Sequence, residues 1–89
     1  MKYNTTYIER ALSESPLHFK KRVDEDTTHR EMISYDVNAN GRKYFVRVTD
    51  IKKGKQNTCF SIKNDEGIYL SIIINNEKLF IKNLRNLRK

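Results

Sequence analysis

Lys43, Phe45 and Arg47 stand at alternate positions, and Lys63 and Tyr69 again set a cation near a ring further along the chain. Alternate positions of a β-strand share one face, so this spacing predicts rings bracketed by cations on a sheet surface. Aromatic rings stack on nucleobases at about 1–3 kcal/mol each while cations meet phosphates, which is how single-stranded nucleic acid is commonly held. Lys52, Lys53 and Lys55 cluster in one polar stretch, and Lys82, Arg85, Arg88 and Lys89 crowd a terminal stretch without an acid. Both groups offer further phosphate contacts. A lone Gly54 cannot form the Gly-rich cradle of a phosphate loop, so the spacing of Lys52, Lys53 and Lys55 matches no phosphate-loop pattern.

Catalytic chemistry finds less support. His18 and His29 are the only histidines, Cys59 is the only cysteine, and none of them stands at ligand spacing. No metal or cofactor is implied. No nucleophile, base and orienting acid can be named as a set, so the expectation leans away from an enzyme. Metal-independent cleavage of RNA asks only for a base, an acid and cations round a phosphate. His29, Arg30, Glu31, Tyr35 and Arg47 are the residues that would supply them, by fold-level analogy with small ribonuclease toxins.

The 89 residues suffice for one domain with a modest core. A single cysteine excludes an internal disulfide. No apolar run reaches bilayer length and the N-terminus lacks the core of a signal peptide, so the expected compartment is the cytoplasm, without a membrane partner. The net charge of +7 is unevenly spread: residues 1–40 carry six Lys/Arg against seven Asp/Glu, and residues 41–89 carry twelve against four. Such a field suits a polyanion or an acidic protein surface; it also keeps a small protein soluble.

The cations and rings must be positioned by strands. Residues 32–39 alternate, with Ile33, Tyr35, Val37 and Ala39 on one side. Asn40-Gly41 then predicts a type I′ turn, since both central positions need positive φ. That turn sets Val37 against Tyr44, Tyr35 against Val46 and Ile33 against Val48. A polar turn with Gly54 next sets Val48 against Phe60 and Val46 against Ile62. Asn64-Asp65-Glu66-Gly67 predicts another hairpin, with Ile62 opposite Leu70 and Phe60 opposite Ile72. The expected inner face is therefore Ile33, Tyr35, Val37, Tyr44, Val46, Val48, Phe60, Ile62, Leu70, Ile72 and Ile74. The expected outer face carries Lys43, Phe45, Arg47, Cys59, Ser61, Lys63, Tyr69, Ser71 and Ile73, with Asp36, Phe45, Lys63 and Tyr69 in one row.

Thr6 and Glu9 have capping-box spacing at the head of a short amphipathic helix. Ser15-Pro16 ends it and can start a second helix through Val23, followed by an acidic linker. Residues 79–82 suit a fifth strand, with Phe80, Leu84 and Leu87 at helical spacing as the alternative. The expected class is α+β: one or two N-terminal helices within residues 1–30, a four- to five-stranded antiparallel meander over 31–82, and a basic tail over 83–89. Ile73, Phe80, Leu84 and Leu87 would then form an apolar patch needing cover, either a folded-back C-terminal helix or the partner of a homodimer. The functions implied are a nucleic-acid-binding module for RNA or single strands, or a small interaction or inhibitor protein binding an acidic groove. The high Lys, Asn and Ile content of the chain suits an accessory protein of a phage or mobile element for the second of these.

Overall fold

The computed structural model describes residues 5–52 and 57–87. Lys53, Lys55, Arg88 and Lys89 lie outside the described residues. The elements are α1 (Thr6–Leu12), β1 (Leu17–Asp26), β2 (Arg30–Ala39), β3 (Arg42–Ile51), β4 (Asn57–Asn64), β5 (Tyr69–Ile74) and α2 (Glu77–Asn86). The strands form one antiparallel meander in the order β1-β2-β3-β4-β5. The class is α+β.

Turn chemistry fixes the centre of the sheet. Asn40 and Gly41 both have positive φ (54° and 82°), as a type I′ turn requires, and the Asn38 side chain accepts from the Gly41 N–H at 3.0 Å. The pairs Val37–Tyr44, Tyr35–Val46, Ile33–Val48, Val48–Phe60 and Val46–Ile62 follow as the alternation dictates.

Three elements differ from expectation. Residues 17–23 form a strand rather than a second helix. On a helix Leu17 would point away from Phe19, whereas on a strand the two take one side. Leu17 accordingly pairs with Ala39 and Phe19 with Val37, and the Phe19 ring meets Tyr35 edge-on at 5.7 Å. The sheet thus starts at Leu17, not at residue 31, and the acidic stretch belongs to it.

The second difference is a bulge. Lys63 pairs with Tyr69 and Ile62 with Ser71, leaving Leu70 as the extra residue. One extra residue flips every side chain beyond it. Ser71 and Ile73 therefore face inward, and Ile72 and Ile74 face outward. Leu70, Ile72 and Ile74, expected in the core, are each more than half exposed.

The third is α2, where a strand was expected over 79–82. Asn75 turns the chain with φ 56°, and the Asn76 side chain caps the helix by accepting from the Leu79 N–H at 3.1 Å. This aims Phe80 and Leu84, four residues apart, at the sheet. Phe80 stacks on Phe60 with ring centres 5.0 Å apart.

Both helices cover the inner face. Ile8 and Leu12 from α1 and Phe80 and Leu84 from α2 join Leu17, Ile33, Tyr35, Val37, Ala39, Val46, Val48, Phe60 and Ile62 in one buried cluster. Glu9 pins α1 to the sheet, its carboxylate accepting from Thr5 Oγ1 at 2.8 Å, Lys21 Nζ at 3.2 Å and the Tyr35 hydroxyl at 3.3 Å. Arg85 of α2 pairs with Glu14, just past the end of α1, at 3.2 Å.

Candidate functional site

With both helices on one side, the outer face of the sheet faces solvent. Its side chains follow from the register. One cross-strand row reads Lys20, Asp36, Phe45, Lys63 and Tyr69 from β1 to β5, and the next reads Arg22, Ser34, Arg47, Ser61 and Ile72. His18, Asn38 and Lys43 make a third on the near side. Phe45 is 48% exposed and Tyr69 53%. They stand two strands apart in their row, about 10 Å by the usual spacing, with Lys63 between.

Short-range contacts hold the polar groups in place. Arg22 pairs with Asp36 at 2.8 Å, Arg47 Nε donates to Ser34 Oγ at 3.1 Å, and Lys63 Nζ lies 5.0 Å from the centre of the Tyr69 ring. A depression of about 370 Å³ runs over Arg22, Asp36, Phe45, Arg47, Lys63 and Tyr69. A second of about 470 Å³ adjoins it, sharing Arg22, Asp36 and Phe45 and adding His18, Lys20 and Lys43. The two form one groove across the strands. Lys20, Arg22, Lys43, Arg47 and Lys63 border it against Asp36 and, in the β4–β5 turn, Asp65, so the groove is net positive.

Of the expected site residues, the structure brings Lys43, Phe45, Arg47, Lys63 and Tyr69 together. Lys52 stands apart at the end of β3, where it donates to Asp26 at 2.7 Å and to the Thr27 carbonyl at 3.2 Å. That contact holds the Asp26 carboxyl below, and the Lys52 ammonium above, its ordinary value. Lys82 and Arg85 ride on α2, across the sheet from the rings. Phe80 and Leu84, expected at an interface, are fully buried in the chain's own core, and Ile73 and Leu87 pack partly against it. Sequence reasoning missed His18, Lys20 and Arg22. The signal was the alternation of Leu17, Phe19 and Val23, hidden by the helical reading begun at Pro16.

The cleavage constellation does not assemble. Tyr35 is buried on the inner face and its phenol is raised above the ordinary value by burial and by the Glu9 carboxylate. Arg47 projects from the opposite face, so the five residues cannot surround one phosphate. Burial also pushes the Cys59 thiol up, away from nucleophilic character at neutral pH. Among the described residues, no cluster of three or more His, Cys, Asp or Glu side chains is placed to hold a metal, and no helix is long and apolar enough to cross a membrane. No protein-family model, curated protein or solved structure matches the chain.

Proposed function

We propose that the chain is a non-enzymatic binding module for single-stranded nucleic acid, RNA or DNA, and that the strand lies along the groove on the outer face of the sheet. The observation that carries this reading is the row in which Phe45 and Tyr69 are half exposed, Lys63 lies between them, and Arg22 and Arg47 occupy the adjacent row. Rings about 10 Å apart can each take a base from a short run of nucleotides. The cations on either side then meet the phosphates, and the paired Arg22–Asp36 and Arg47–Ser34 contacts keep two guanidinium groups extended over the sheet. Among the described residues the groove holds no base-specific constellation, so discrimination is expected to be modest.

Replacement of both Phe45 and Tyr69 by Ala tests this. Both side chains point to solvent, so the fold is expected to persist by circular dichroism. Affinity for an unstructured oligonucleotide is expected to fall on the order of a hundredfold at fixed salt, from about 1–3 kcal/mol per stacked base. Unchanged affinity in the double variant would reduce the interaction to nonspecific charge and end this reading.

A second reading, a small interaction or inhibitor protein set into an acidic groove of another protein, draws on the same cations and on the exposed Ile68 and Leu70. A stoichiometric protein captured from nuclease-treated lysate, and lost with Lys63→Glu, would favour it over the first.

A further inference from the structure

The two edges of the sheet are unlike. β1 is an edge strand bearing Lys20, Lys21, Arg22, Asp24, Glu25 and Asp26, with a bulge between Val23 and Glu25, the devices that blunt an edge against pairing. β5, the other edge, runs Tyr-Leu-Ser-Ile-Ile-Ile without a charge. Its own bulge at Leu70 leaves the stretch from Ser71 onward regular.

The hydrogen-bond phase of that stretch can be worked out. The Asn75 N–H donates to the Thr58 carbonyl at 2.8 Å and the Thr58 N–H donates to the Asn75 side-chain Oδ1 at 2.7 Å, so residues 75 and 58 sit at a bonded position of the ladder. In an antiparallel ladder bonded pairs alternate with non-bonded ones. Ile73–Phe60 and Ser71–Ile62 are then bonded pairs, and the peptide groups of Ile72 and Ile74 point away from β4. Among the described residues no strand lies beyond β5 to receive them. The same two residues leave 58% and 54% of their surface in solvent.

We infer that a second copy of this chain pairs along β5, antiparallel, about a two-fold axis at Ile73. In this register Ile72 and Ile74 of one copy meet Ile74 and Ile72 of the other, which supplies four backbone hydrogen bonds from donors and acceptors already aligned. Side chains directly opposite share a face, so the four isoleucines gather on the outer side and the two Ile73 side chains on the inner side. Self-complementarity of this kind is what an isologous contact requires. Charge restricts where two copies can meet: chains of net charge +7 repel along most of their surface, and this uncharged strip is where the repulsion is least. Ile68 and Leu70 extend the strip to several hundred Å² per copy, the scale of an association site. Doubled across the axis, it approaches the roughly 1,000 Å² of a biological interface. The dimer does not depend on the nucleic-acid reading. It would join two outer faces into one ten-stranded surface.

Sedimentation equilibrium of the full chain at micromolar concentration, with amide hydrogen exchange, tests the inference. The expected mass is twice the 10.6 kDa of the chain, with the Ile72 and Ile74 amides protected on concentration and exposed on dilution. Ile72→Lys, whose side chain already faces solvent, is expected to give a folded monomer, and Ile74→Lys serves as the second variant should the first misfold. A monomer that persists to hundreds of micromolar, or a dimer in which those two amides exchange freely, would overturn it. So would a dimer that survives both folded variants.

Discussion

Glu9 ties three elements together through one carboxylate, and its protonation is therefore a readout of how α1 is held. Burial opposes its ionisation, but the Thr5 hydroxyl and the Lys21 ammonium outweigh burial and hold the carboxyl below its ordinary value of 4.5. A carboxylate whose value is lowered on folding stabilises the protein above its unfolded value, and that contribution is lost as pH falls through the folded value. Glu9→Gln is expected to lower stability by about 1 kcal/mol at pH 7, measured by urea denaturation. The gap should narrow below about pH 4.5, and a gap independent of pH would mean that packing rather than charge holds α1. Glu77 behaves in the opposite sense. Burial raises its carboxyl, and among the described residues its Oε2 has no hydrogen-bond partner, so its ionised form opposes folding at neutral pH and this cost fades as pH falls.

Whole elements were legible where local chemistry fixed them. Asn40-Gly41 can close only one kind of two-residue turn, and once it did, the alternation of Ile33, Tyr35 and Val37 fixed the facing of β3 and β4. The row containing Phe45 and Lys63 was legible for that reason. The slip in β5 has an equally physical origin. Its run of apolar residues does not alternate, so nothing in it marks a face. Asn64 meanwhile accepts from both the Glu66 and Ile68 N–H groups at 2.9 Å, shaping a turn that leaves Leu70 surplus. Tyr69 precedes the surplus residue and kept its expected face; Ile72, Ile73 and Ile74 follow it and exchanged faces. The C-terminal element was ambiguous because Leu79 and Ile81 alternate like a strand while Phe80 and Leu84 repeat like a helix. Burial against Phe60 decides between them. Phe80→Ala is accordingly expected to cost about 3–5 kcal/mol, a large part of the total for a domain of this size. Thermal melts at several concentrations check this: a loss independent of dilution fits burial within one chain, and a loss only on dilution would place Phe80 at a contact between chains.

At the scale of the whole molecule, the two faces of the sheet differ. One face of the sheet is covered by two helices, and the other carries cations and half-exposed rings with no element over them among the described residues. Because the expected contacts are with phosphates, log affinity should fall linearly with log salt, by about 0.7 for each phosphate neutralised on a single strand. Replacing Lys63 should reduce that slope by roughly one contact, and Lys82, on the helical side, should leave it unchanged. The most direct test of the outer face as the binding surface is backbone and side-chain NMR during titration with an unstructured oligonucleotide at low salt. Shifts should concentrate on Phe45, Arg47, Lys63, Tyr69 and the Lys20–Arg22 segment, while Ile8, Leu12, Phe80 and Leu84 stay unmoved. Shifts confined to α1 and α2, or none at all at millimolar oligonucleotide, would contradict it.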